Sequence, residues 1–212
     1  MDILDQENLL DEKSLLITIW TKPKLTFDFI LKYCPKKYVS FLLILIGIVN
    51  AVDQNYQHLT EQRSYSVIIV IIVIVISGIF GWISGYIYAA LLSWTGGWIK
   101  GKANTDQFIT VISWAMVPFI CSLILLIPKL LIFGSDLFYI DIHEQSLPKV
   151  VAYIIIKLVE ALLSIWTLVI TIKGIALIQN FNIKKAILNA ILALLVIVVP
   201  IFIVVGIIYI LQ

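Results

Sequence analysis

Apolar residues fall into five long runs, over 35–52, 67–94, 108–133, 150–172 and 186–211, and most charges lie between them. A bilayer core of roughly 30 Å takes about 20 helical residues to cross. Runs of this length without apolar–polar alternation predict transmembrane helices rather than barrel strands. The first run is the shortest. Pro118 and Pro128 interrupt the third, and Pro200 lies inside the fifth. Each proline removes a backbone donor and crowds the preceding turn, so kinks are expected there. The expected fold is all-α: an integral membrane bundle of five transmembrane helices over 35–212. Ahead of it, 1–34 is expected to be a cytosolic segment. Within it, 14–20 is apolar but too short to cross. Residues 23–33 alternate lysines with Leu25, Phe27, Phe29 and Ile30, which predicts an interfacial amphipathic helix. The first ten residues are expected to be disordered.

Basic residues set the orientation. Lys22, Lys24, Lys32, Lys36, Lys37, Lys100, Lys102, Lys173, Lys184 and Lys185 all fall on one side of such a bundle. The other side has Arg63 and Lys149, with Lys129 if it lies near the end of the third helix. The lysine-rich side is expected in the cytosol, with the N-terminus in and the C-terminus out. Tyr38, Trp94, Trp98 and Tyr209 are placed to anchor at the interfaces.

Composition sharpens this picture. The chain has 212 residues, 61% apolar and 13% charged. Soluble domains carry about 25% charged residues. A net charge of +2 with no basic stripe argues against a nucleic-acid partner. Cys34 and Cys121 lack metal-ligand spacing and read as free thiols. The acidic start (Asp2, Asp5, Glu7, Asp11, Glu12) is unlike a signal peptide, so the first span is expected to direct insertion.

Two patterns inside the runs stand out. Ser77, Gly81, Gly85, Ala89 and Ser93 recur every four residues, which places them on one helical face. Small residues there let a second backbone approach closely, within the chain or in a homo-oligomer. Gly78 widens the groove. Lys157, Glu160, Ser164, Thr167 and Thr171 share a face of the fourth run. A charge near the bilayer centre costs about 2.5–3.5 kcal/mol on the insertion scale. The stripe should therefore face the bundle interior or a wet cavity, with Lys157 and Glu160 offsetting one another. It reads either as an ion, proton or solute path or as a helix-packing lock. Asn189 is the polar neighbour the fifth run offers.

Other chemistry is weaker. Gly96, Gly101 and Lys102 resemble part of a phosphate loop, but Ala103 stands where a magnesium-binding hydroxyl is needed and no strand precedes it. The glycines are better read as a helix end and tight turn, with Asn104 and Gln107 capping the next helix. His58 with Asp53 and Glu61, and His143 with Asp141 and Glu144, could share a metal, although lone histidines in polar loops are usually solvated. No catalytic set can be named, and no enzyme activity, cofactor or metal is expected.

Three stretches carry a family resemblance. WTKPKLTFDFILKY (20–33) resembles the tryptophan–x–x–proline–basic–x–threonine–phenylalanine opening of bacterial Yip-one domain proteins. GYIYAALLSWTGGWIKGKANTDQFITVISWAMVPFI (85–120) resembles the family's middle, with Gly97, Gly101, Lys102 and Pro118 as the matching positions. GIALIQNFNIKKAILNAILALLVIVVP (174–200) is similar to its closing hairpin. The resemblance implies a five-helix membrane domain with a cytosolic N-terminus. Eukaryotic relatives are associated with Rab-type GTPases, vesicle traffic and membrane shaping. Their long cytosolic N-terminal region has no counterpart here, so GTPase binding is not expected to carry over. The expected role is a scaffold or partner-binding protein of a bacterial cytoplasmic membrane. Its partners would be the lipid bilayer and copies of itself or other membrane proteins. A small transporter or channel built on the Lys157–Glu160 pair is the alternative.

Overall fold

The computed structural model describes residues 14–58, 67–134 and 146–211, and every regular element among them is helical. The first ten residues and His143 lie outside the described residues, as does the side chain of His58. Helices α1 (Leu15–Thr21) and α2 (Pro23–Tyr33) make up the lead segment. Lys22 separates them with φ −129° and ψ 58°. The following proline ring excludes the helical conformation at this residue, while Pro23 itself suits the first helical position. Helix α3 (Val39–His58) carries the first apolar run and α4 (Val67–Trp98) the second.

The third run is not one rod. It forms α5 (Thr105–Ala115), α6 (Val117–Ile120), a 3-10 turn (Cys121–Leu125) and α7 (Leu126–Phe133), with a 42° bend between Thr105–Ala115 and Val117–Phe133. Pro118 stands in the first turn of α6, so the carbonyl one turn back in α5 loses its donor and the helix breaks at Met116. Pro128 stands in the first turn of α7, where a missing N–H costs nothing. Helices α8 (Leu147–Gln179) and α9 (Ile183–Leu211) follow, and α9 stays unbroken through Pro200.

Among the described residues, three stretches are long and apolar enough to cross a membrane: Val75–Trp98, Leu147–Gln179 and Ile183–Tyr209. The bent pair makes a fourth if it counts as one span. The apolar part of α3 is shorter, Val39–Val52, and at 1.5 Å per residue reaches roughly 21 Å.

The chain divides into two compact units. One comprises Met1–Pro35, Gly85–Ile112 and Ile170–Gln212. Here Gly174 of α8 lets the Phe27 ring of α2 and Val111 of α5 close on the backbone; a Cβ there would meet Phe27 at 2.9 Å. Thr110 donates to the carbonyl of Pro35 at 2.8 Å, tying α5 to the end of the lead segment. Asn104 and Gln107 cap α5 reciprocally, at 2.9 and 3.1 Å.

The other unit comprises Lys36–Ser84 and Ser113–Val169. Leu42, Leu43, Ile46 and Val49 are the buried face of α3, which packs on α6. Trp114 is fully buried and donates to the carbonyl of Lys37 at 3.3 Å. Phe133 of α7 meets Tyr153 of α8 edge-on at 6.2 Å, beside Ile156.

Candidate functional site

Residues of the polar stripe do not all lead to one place. Glu160 of α8 accepts from Lys157 one turn earlier at 3.0 Å. It is also gripped by Lys129 of α7, through its other carboxylate oxygen. Lys129 is buried, Glu160 is largely so, and Lys157 is about one-third exposed. Two ammonium groups thus close on one carboxylate inside the unit. Lys157 also lies 6.0 Å from the face of Tyr153.

A cavity of about 240 Å³ adjoins the cluster, with Val49, Phe119 and Leu126 among its apolar walls and Ser122 and Ser164 at its polar ones. It has room for several water molecules and the polar groups to hold them. Ser164 turns its hydroxyl back to the Glu160 carbonyl at 2.9 Å, within its own helix. Thr167 and Thr171 are buried and do not line the cavity. The opposite face of α8 (Ile154, Leu158, Leu162, Ile165) is exposed and apolar, as a lipid-facing side should be.

Lys129 is the member that sequence reasoning set among the loop charges. Its signal was its position inside LLIPKLLIF, because a lysine in an apolar run needs a counter-charge. Asn189 joins a different site. In the unit that contains the lead segment, it accepts from Thr95 of α4 at 2.9 Å. Nearby, Gln179 of α8 accepts from the Ala103 N–H at 3.0 Å. Both amides are buried. Gly96 and Gly101 make room for them: a Cβ at Gly101 would come within 2.6 Å of the Gln179 amide nitrogen, and one at Gly96 would lie 3.2 Å from that of Asn189.

These glycines do not supply the left-handed residue of the turn. Lys100 does, with φ 71°, while Gly101 donates back to the carbonyl of Gly96 at 2.8 Å. This is the usual helix-terminating motif with an unusual residue at its αL position. A double-mutant cycle tests the fit. Gly101→Ala should destabilise by about 1–3 kcal/mol through overpacking. In a Gln179→Ala background its cost should fall below about 0.5 kcal/mol, the level of an unstrained surface change. Thermal unfolding in detergent reads both.

The ladder residues divide as well. A Cβ on Gly47 of α3 would meet the Cα atoms of Gly81 and Gly78 at 2.9 and 3.0 Å, so the two backbones touch there. Ser77 is half-buried beside them, and Gly85 is half-buried further along. Ala89 is fully buried, and Ser93 donates to the Ala103 carbonyl at 3.0 Å. Among the family-like positions, Pro118 is buried, Lys102 is exposed, and Gly97 has no neighbour within 4 Å of where a Cβ would stand.

Among the described residues no group of three His, Cys, Asp or Glu side chains could hold a metal. No curated protein and no solved structure matches the chain. The family model of the Yip1 domain matches residues 17–205, nearly the whole bundle and its lead segment, and this integral membrane protein therefore belongs to the Yip1 domain family.

Proposed function

We propose that the chain is a non-enzymatic scaffold or partner-binding protein of a bacterial cytoplasmic membrane. On this reading all five apolar segments cross, the N-terminus and the lysine-rich turns are cytosolic, and the C-terminus lies on the other side. The short apolar part of α3 crosses by thinning the bilayer locally or letting flanking lysines reach the headgroups. The observation that carries the partner role is α9. Within its apolar stretch, Ile183–Tyr209, only 6% of an 18-residue segment is buried. From Leu194 to Tyr209 large apolar side chains are exposed around the helix, Ile201, Phe202 and Val205 among them. Such a surface is suited to contacts with lipid and with other transmembrane helices.

A photo-crosslinking amino acid at Phe202 tests this. The expected result is a discrete protein adduct from intact membranes, either a dimer or a complex with another membrane protein. Labelling of lipid alone would contradict it.

The cavity beside Glu160 favours a second reading, a small transporter. Two features weigh against it. The carboxylate is clamped by lysines from two helices, an arrangement that joins α7 to α8. The stripe's hydroxyls beyond Ser164 do not continue the cavity. GTPase binding is not part of the proposal.

A further inference from the structure

A second, larger cavity lies in the unit that contains the lead segment. It measures about 910 Å³ and is framed by the start of α2 and the turn from α8 to α9. Lys22, Lys24 and Lys173 line it, against one carboxylate, Asp28. All three lysines are exposed, so their ammonium groups are available to a ligand. Leu25, Leu177 and Phe181 give the same groove an apolar wall.

Two backbone features suit an anion. The N-terminus of the 11-residue α2 opens here, its Lys22 N-cap provides no side-chain cap, and Pro23 has no N–H. The remaining first-turn N–H groups and the helix dipole favour negative charge. The facing end of α8 would repel an anion if its carbonyls were open. Two of these carbonyls are occupied within the turn: Phe181 donates to that of Ala176 at 2.9 Å and Asn180 to that of Leu177 at 3.2 Å.

We infer that this groove binds a phosphate ester, supplied by the headgroup of an anionic phospholipid whose upper acyl chain lies on the apolar wall. Free phosphate shares the charge but has no use for that wall. Three cations, an uncapped helix start and an adjoining apolar surface match a lipid at the membrane boundary. The site rests on the proposed topology, which places it at the cytosolic headgroups.

The test is native mass spectrometry of the full chain in detergent. It is titrated with short-chain phosphatidylglycerol, with the matching phosphatidylcholine, and with inorganic phosphate as competitor. Phosphatidylglycerol should bind at least about tenfold more tightly than phosphatidylcholine. The triple variant Lys22→Gln/Lys24→Gln/Lys173→Gln should lose that preference, and the corresponding triple arginine variant should keep it. Lys100→Gln/Lys102→Gln should leave it within about twofold.

Equal binding of the two lipids, or a preference that survives the triple glutamine variant, overturns the site. Displacement by inorganic phosphate at equal concentration overturns the lipid as its source. The titration in detergent does not depend on which side of a bilayer the groove faces. An error in topology, read separately by cysteine accessibility at Lys24→Cys, is thus distinguishable from an empty groove.

Discussion

Replacing Glu160 by glutamine should destabilise the protein by about 3 kcal/mol or more, the largest effect of any single substitution in the cluster. The reason is asymmetry. Among the described residues, Glu160 is the carboxylate that both Lys129 and Lys157 meet. Without it, the buried Lys129 loses this carboxylate and faces a second ammonium group in a low-dielectric interior. Lys129→Met should cost less, because Glu160 retains Lys157. Lys157→Gln should cost least, under about 1 kcal/mol, since that lysine is partly exposed and its i, i+3 pairing is weak. Removing both buried charges together, Lys129→Met with Glu160→Leu, should recover most of the loss. Unfolding in mixed detergent micelles would measure the series. Equal, small effects from all three single changes would show that the pairs contribute nothing.

Adding one methyl group to Gly47 should destabilise by about 1–3 kcal/mol. The new Cβ would fall on backbone atoms of Gly78 and Gly81, which cannot rotate aside as a side chain can. Helices α3 and α4 would have to separate, losing dispersion contacts that drive association where the hydrophobic effect is absent. Gly97→Ala is the control. It is a family-like position with open space around it, and its effect should stay within about 0.5 kcal/mol. The same detergent unfolding assay compares the two. A loss at Gly97 as large as at Gly47 would mean that intrinsic glycine effects, not the close contact, set the cost.

The helical elements could be read from local pattern because each depends on residues close in sequence. Apolar runs, the Pro23 start of α2 and the Asn104–Gln107 cap are of this kind. Pairings across distance were not readable in the same way. Lys129 reaches Glu160 through a segment broken at Met116 and wound as a 3-10 turn, and no periodicity encodes that path. Gly96 and Gly101 looked like turn glycines, yet their lack of a side chain serves Gln179 and Asn189, far along the chain. The left-handed turn residue is Lys100, which composition would not single out. Even the stripe on α8 divides: one helical face supplied both the charged cluster and two buried threonines outside its cavity. Sequence shows which residues share a face, but the neighbouring helices determine what that face meets.

On the proposed scaffold reading, the Lys129–Glu160–Lys157 cluster joins two helices and does not conduct. The most direct test is proton and ion flux into vesicles reconstituted with the wild-type protein, Glu160→Gln and the charge-keeping Glu160→Asp. The predicted result is no flux above protein-free vesicles for any of the three, with Glu160→Asp folding like wild type. Flux through the wild type that Glu160→Asp alters and Glu160→Gln abolishes would make the cluster a pathway and contradict the scaffold reading.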